Sequence, residues 1–295
     1  MLRRDIVQSL FDSTGRGLEV GPSHAPIFPR ALGFDVEILD YEAAAGLRAR
    51  YAAMGIDTSA IEEVDYISDG RPMHEVIGDA RRYDYIFSSH AIEHVPDVVG
   101  FFKSAEILLK PGGSLVFAIP DKRYTFDAYQ MPSTTGDVIQ AYLEKRTRHA
   151  AARIFDFFAS TAYLDRKEPT WSLYAHGAVE LMGTPVNAHA LTLKALADLN
   201  TYTDVHGWYF TPSSLRLIMH DLNEIGLISL KEANMVESGN FEFYAVYSER
   251  GAGCGIDRAE LIRRVIRDQT LSGLQILSSL NGDSDLWQTL QLATS

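Results

Sequence analysis

Between Gly17 and Arg123 the sequence alternates strand-like with helix-like segments, and this alternation restricts the fold more than any other feature. Gly17 to Val20 is short and ends in a Gly-Pro turn, Phe34 to Leu39 (FDVEIL) alternates, and Val64 to Ile67 and Tyr83 to Ser88 (YDYIFS) are further strand candidates. Ser114 to Ile119 (SLVFAI) is β-rich and follows Lys110-Pro111-Gly112-Gly113, a helix stop and turn. Before that stop, VVGFFKSAEILLK sets Val98, Phe101, Phe102, Ala105, Leu108 and Leu109 at helical spacing, with Asp97 placed to cap the helix. Strands alternating with helices predict an α/β fold, a doubly wound and mainly parallel sheet with crossover helices.

The pattern breaks from about Tyr124 to Val205. Helical stretches and loops occur there, with no clean strand, and Phe155, Phe157, Phe158, Tyr163, Trp171 and Tyr174 cluster in it. Two compatible readings stand: a helical subdomain with its own small core, and a lid over a substrate pocket. The α/β pattern resumes near Phe210. TPSSLRLIMHDLNEIG offers Thr211 as cap, Pro212 in the first turn and Gly226 as stop. Leu227 to Glu232 and Phe241 to Tyr247, separated by Ser238-Gly239-Asn240, predict an antiparallel hairpin, hence an antiparallel last strand. A GAGCG break, a helix from about Asp257 to Leu271 and a polar tail follow.

Composition narrows the partners. A net charge of −12 argues against a broad basic footprint for nucleic acid. Cys254 is the single cysteine, which excludes an intrachain disulfide and a multi-Cys zinc site and suits a reducing compartment such as the cytoplasm. The opening MLRRDIVQSLFDSTGRG reads as a short amphipathic helix and not as a signal peptide. No apolar run reaches the roughly 18 residues of a membrane span.

Leu18-Glu19-Val20-Gly21-Pro22-Ser23 stands where a nucleotide site on such a sheet would begin. Gly21 lets the backbone approach a ligand at the strand end. Asp40, about 20 residues on in ILDY, is placed to accept from ribose hydroxyls. The phosphate-cradling G-x-G-x-x-G is absent, since Gly21-Pro22-Ser23-His24-Ala25-Pro26 keeps one glycine. A ligand without phosphate fits that loop better than a dinucleotide, which favours S-adenosylmethionine over NAD. A tight turn after a core strand is the plain alternative.

LEVGPSHAPIFPR followed by ILDY, then YDYIFSSHAIEHVPD, then LLKPGGSLVFAIPDKR, resembles the class I S-adenosylmethionine-dependent methyltransferases, closest to bacterial members with a Leu-Glu-Ile-Gly-Pro first motif. The resemblance covers about residues 16 to 123 and more loosely 206 to 248. Together with the pattern along the chain, it predicts a Rossmann-like domain from 1–123 and 206–250, a helical insertion at 124–205 and a C-terminal helical extension at 251–295. It also implies that Glu19 and Gly21 border the donor's methionine part and that Asp40 holds the ribose. Asp69 would approach the adenine amine, and Ser89 and His90 would line the donor pocket. Pro22, Ser23, Tyr41 and Gly70 belong to the same expected cofactor site. Ser23 departs from the family, which usually has a second glycine there.

His90-Ala91-Ile92-Glu93-His94 also matches H-x-x-E-H, a zinc-peptidase motif. Pro96 leaves little more than one helical turn for it, so we expect no metal, with Glu93 and His94 mainly structural. Ligands of a doubly wound sheet sit beyond the strand carboxyl ends, which Asp121-Lys122-Arg123-Tyr124 should reach. This is either a solvated turn or an acceptor site in which Lys122 and Arg123 clamp an anion and Asp121 orients the acceptor. His206, in DVHGWYFT where the insertion rejoins the sheet, is either a structural histidine or a general base, with Trp208 beside the acceptor. His176 and His189 are weaker candidates. The expected activity is methyl transfer from S-adenosylmethionine to a small molecule or glycan, foremost on oxygen. N- or C-methylation, an NAD-dependent oxidoreductase and a non-catalytic donor-binding protein are the alternatives.

Overall fold

A computed structural model of the chain describes residues 3–175, 177–199 and 201–281. A short helix α1 (Arg3–Gln8) precedes strand β1 (Gly17–Val20), and β2 (Val36–Asp40) follows a single turn at Arg30–Leu32. Helix α2 (Ala44–Ala53) leads to β3 (Tyr66–Ile67), α3 (Met73–Ile77) to β4 (Tyr83–Ser89), and α4 (Val98–Leu108) to β5 (Leu109–Pro120). The long connection after β5 holds α5 (Thr135–Leu143), α6 (Ala151–Ser160), strands β6 (Ala162–Leu164) and β7 (Val179–Leu181), and α7 (Pro185–Ala197). The chain then returns through α8 (Pro212–Glu224), β8 (Lys231–Glu237), β9 (Glu242–Ser248) and α9 (Arg258–Asn281).

Seven strands form one sheet in the order β3-β2-β1-β4-β5-β9-β8. The first five are parallel, while β9 runs antiparallel to β5 and to β8. This is a Rossmann-like, mainly parallel sheet whose order reverses between β1 and β4. At that reversal the two crossovers leave on opposite faces, which opens a crevice at the strand carboxyl ends.

The local signals explain most elements. Asp97 Oδ1 accepts from Gly100 N at 2.9 Å and starts α4, whose Val98, Phe101, Phe102, Ala105 and Leu108 lie against the sheet. Thr211 and Ser214 form a reciprocal capping box on α8, with Pro212 in its first turn. Alternate residues of the central strands feed two cores. Ile86, Leu115 and Phe117 face α4 and α8, whereas Tyr85, Phe87 and Val116 face Val7 of α1, Ile27 and Phe28. Among the described residues no helix is long and apolar enough to cross a membrane.

Four segments differ from their sequence pattern. The third strand keeps only Tyr66–Ile67, because Asp65 turns its carboxylate onto Ile38 N at 2.7 Å. Leu227 to Leu230 is no strand. Its carbonyls at Ile228 and Leu230 accept from Asn223 Nδ2, and Glu106 takes Leu230 N, so the hairpin begins at Lys231. The insertion contains the hairpin β6–β7, three residues per strand and too short to show a period. The last helix continues past Leu271 to Asn281.

Candidate active site

The carboxyl ends of β1, β2, β4 and β5 define one edge. Gly21, immediately after β1, has φ +67° and donates to Leu39 O at 2.8 Å, and a Cβ there would stand 3.4 Å from Ala91 Cβ. Ser23 is also left-handed, at φ +48°, in the place where the family usually carries glycine. Its amide donates to Asp40 Oδ2 at 2.9 Å, and Tyr41 N donates to Asp40 Oδ1 at 2.8 Å. Burial raises the Asp40 carboxyl above its ordinary pKa, against these two donors. Each oxygen retains capacity for a second donor. Glu19 is almost fully buried and accepts from Ile27 N at 2.7 Å and Phe28 N at 3.1 Å, which folds the loop after β1 back over the strand. Burial pushes its carboxyl up to about 7, against those two amides.

At the β1–β4 reversal Val20 pairs with Ser88, whose hydroxyl is buried and without a hydrogen-bond partner. A bare Cα at Gly21, an acidic strand end at Asp40 and an unused buried hydroxyl fit a nucleoside-bearing ligand without phosphate. The other expected donor residues follow the ends of β2, β3 and β4 on the same edge, where several have partners of their own. Asp69 lies exposed beyond β3 and pairs with Arg71, beside Gly70 at φ +89°; Tyr41 is half-exposed under the Arg50 guanidinium. Ser89 Oγ accepts from Arg3 at 2.7 Å, and His90 Nε2 lies 2.9 Å from Glu242 Oε2. Burial alone would raise Glu242, but His90 and Arg3 hold its carboxyl down at about 2. Neither Arg3 nor Glu242 was legible as a neighbour of β4, since only the fold brings α1 and β9 to that edge.

Asp121, Lys122 and Arg123 do reach the rim, but they turn inward. Asp121 accepts from Arg123 Nε and Nη2 at 2.9 and 2.6 Å, and Arg123 Nη1 reaches Asp268 of α9 at 3.2 Å. Lys122 is buried with Nζ 3.3 Å from Ala128 O and from Gln269 Oε1; burial pulls its ammonium down to about 8, although Asp121 and Asp127 oppose this. These groups tie β5 to α9, and the guanidinium has no free fork for an anion. Tyr124 packs with Ala162, Leu164, Trp171 and Val179 in the core of the insertion. Trp208 is buried, with Nε1 donating to Val95 O at 2.5 Å. His189 lies on α7, and His176 lies outside the described residues.

His206 stands in a denser arrangement. The chain leaving the insertion docks on the loop after β4: Gly207 N donates to Glu93 O at 2.8 Å, and Tyr202 Oη donates to His94 O at 2.5 Å. Gly207 must lack a side chain here, because a Cβ would meet His149 Nδ1 at 2.4 Å. This docking sets His206 beside Glu93 and His94. Its Nδ1 is 2.6 Å from Asp127 Oδ2, and its Nε2 is 3.9 Å from Glu93 Oε1. Burial pulls the imidazole down, but Asp127, with Glu93 and Asp204, outweighs it and raises the pKa to about 9. The neighbouring carboxylates thus favour the protonated imidazole, which must give up its Nε2 proton before that nitrogen can act as a base or a ligand. His94 Nδ1 pairs with Asp204 Oδ1 at 2.7 Å. The H-x-x-E-H spacing does not assemble as a zinc-peptidase helix. His90 adopts φ +48° and turns to Glu242, and residues 92–94 form a single tight turn.

A cleft of about 340 Å³ lined by Arg216, His220, Glu232 and Cys254 lies at the other end of the sheet, where Lys231 pairs with Ser248. It is remote from these strand ends.

The sheet order and the antiparallel edge pair are those of a Rossmann-like methyltransferase fold. The profile of the methyltransferase-domain family matches residues 2–223, and the chain belongs to that family. It is an S-adenosylmethionine-dependent methyltransferase, with S-adenosylmethionine as its cofactor. Solved structures with a similar fold include an S-adenosylmethionine-dependent methyltransferase from Mesorhizobium loti, 15% identical over 82% of this chain and 95% of that one, with a TM-score of 0.43. Another, from Aquifex aeolicus, is 11% identical over 84% of this chain and 98% of that one, with a TM-score of 0.36. No curated protein matches the sequence.

Proposed function

We propose that the protein methylates a hydroxyl of a small molecule or glycan in the bacterial cytoplasm. The acceptor enters between the loop after β4 and the insertion at 124–205, which acts as its wall. The observation that carries this reading is the buried Asp127–His206–Glu93 constellation on the strand-end edge that also holds Gly21, Ser88 and Asp40. A neutral amine can attack a sulfonium methyl as it stands, whereas a hydroxyl must shed a proton. Carboxylates and imidazoles gathered without solvent suit the second task better than the first.

In this reading Gly21 and Asp40 seat the donor nucleoside. S-adenosylmethionine supplies an activated methyl group, so the chain mainly orients the two reactants and excludes water. Phe126 and Phe157, whose rings lie 4.8 and 5.7 Å from that of His206, provide the dry side of the site. Asp127 fixes the imidazole orientation. The net charge of −12 supports a small or neutral acceptor over nucleic acid.

The test screens hydroxylated small molecules and saccharides for S-adenosylhomocysteine release, then assigns the methylated atom by NMR. An O-methyl product supports the reading, and an N- or C-methyl product contradicts it. His206→Ala is expected to lower the rate by about 10²–10⁴ with donor affinity nearly unchanged.

A further inference from the structure

Glu93 is the most anomalous polar group among the described residues. It is 1% exposed, and neither carboxylate oxygen has a hydrogen-bond partner. A buried carboxylate left in this way is costly unless a cation or donor completes it. Its surroundings supply ligands and no compensating hydrogen bond. His94 Nε2 lies 3.7 Å and His206 Nε2 3.9 Å from Glu93 Oε1, and the three ligand atoms all fall within 4.8 Å of one another.

The outer contacts prepare both imidazoles. His94 Nδ1 is 2.7 Å from Asp204 and His206 Nδ1 is 2.6 Å from Asp127. A carboxylate on Nδ1 fixes that nitrogen as the proton donor and directs Nε2 to a metal, the usual outer shell of a histidine ligand. The two rings stand at 87° with centroids 4.6 Å apart, so their Nε2 atoms converge without stacking. Ligands about 2.0–2.2 Å from one ion stand roughly 3–3.5 Å apart, so side-chain shifts on the order of 1–2 Å close the site. His94, with 30% of its side chain exposed, leaves one side open to solvent.

We propose that Glu93, His94 and His206 bind one divalent transition-metal ion. Two imidazoles and one carboxylate suit Zn²⁺, Co²⁺, Fe²⁺ or Mn²⁺, whereas Mg²⁺ and Ca²⁺ prefer oxygen ligands throughout. The sequence spacing points to His90 as the second histidine, but His90 Nε2 is held by Glu242 at 2.9 Å while its Nδ1 stays 4.0 Å from Glu93 Oε1, and His206 joins the cluster from the other side. The proposed site runs counter to the expectation from sequence that the chain has no metal.

The role of the ion rests on the O-methylation reading, though its binding does not. Three protein ligands leave open positions at which an acceptor hydroxyl can be polarised. The hydroxyl proton passes to solvent, and the oxygen forms a bond to the methyl carbon. The carbon–sulfur bond breaks with its electron pair on sulfur, and S-adenosylhomocysteine remains.

The test uses the full chain, stripped with a chelator and titrated with Co²⁺ and with Zn²⁺. We expect one ion per chain and, with Co²⁺, visible absorption bands of an imidazole–carboxylate site. Glu93→Gln and His94→Ala should each lower the affinity at least 100-fold. Asp127→Asn, which touches no metal ligand atom of Glu93, should lower it about 10–100-fold. S-adenosylhomocysteine binding and the thermal melt are recorded on the same samples. Intact donor binding with no stoichiometric metal would overturn the metal site and leave the methyltransferase standing. Metal affinity unchanged in folded Glu93→Gln and His94→Ala would overturn it equally. If Glu93→Gln does not fold, the partly exposed His94 and the outer Asp127 variants decide the matter.

Discussion

Replacing Glu19 by Gln separates a charge effect from a hydrogen-bond effect beneath the loop after β1. In the folded chain the carboxyl is raised from 4.5 to about 7 by burial. Between those two values the folded protein holds a proton that the unfolded chain has released. Stability is therefore full below about pH 4.5, falls as pH rises through the window and levels off above about 7. The displacement corresponds to a loss of about 3 kcal/mol across the window. Gln has no such titration. It does lose an acceptor for one of the two amides at Ile27 and Phe28, at a cost of about 1–3 kcal/mol that is the same at every pH. The variant curve should then be displaced from the wild type near pH 5 and converge on it or cross it by pH 8. Thermal unfolding followed by tryptophan fluorescence at pH 5, 6, 7 and 8 reads this directly. With about 2–4 °C per kcal/mol, the difference between the two proteins should change by roughly 5–10 °C in Tm over the range. Parallel curves would refute the argument, because they would mean that Glu19 titrates at the same pH in both states.

Two further substitutions probe the loops. Ser23→Gly removes a left-handed non-glycine residue worth about 1–2 kcal/mol, offset by about 0.5–1 kcal/mol of added chain entropy, so Tm should rise slightly; a clear fall would show that Ser23 contributes more than strain. Arg123→Ala strips the partner from buried Asp121 and Asp268 and should destabilise the fold by about 3–5 kcal/mol while leaving S-adenosylhomocysteine affinity unchanged. Normal stability with a raised KM for the acceptor would instead restore Arg123 as an anion clamp.

The sheet was largely legible because its signals are local. Buried parallel strands read as apolar runs, and the caps at Asp97 and Thr211 and the turn at Gly239 each lie within four residues of what they terminate. Leu227 to Leu230 was misplaced because an apolar linker carries the same composition as a buried strand. Only Asn223 and Glu106, elsewhere in the chain, show that its backbone is satisfied by side chains. For the candidate site, the positions of Gly21 and Asp40 at strand ends and of His206 at a segment junction could be read from the sequence, since strand ends and junctions can be located there. Their partners could not. Asp127 and Glu93 meet His206 from separate loops, and Asp268 covers Arg123 from a helix far along the chain. The H-x-x-E-H pattern misled because spacing assumes a helix, and residues 92–94 make one tight turn.

The central claim is that the crevice at Gly21 and Asp40 binds the methyl donor. Calorimetric titration of S-adenosylhomocysteine into the wild type and Asp40→Ala, with NAD as a control ligand, tests it most directly. The account predicts saturable binding to one site in the wild type and none of NAD. It also predicts an affinity lower in the variant by about 1.5–3 kcal/mol, on the order of 10- to 150-fold, the worth of hydrogen bonds to a charged group. Equal affinity in the two proteins, or binding of NAD in place of S-adenosylhomocysteine, would contradict it.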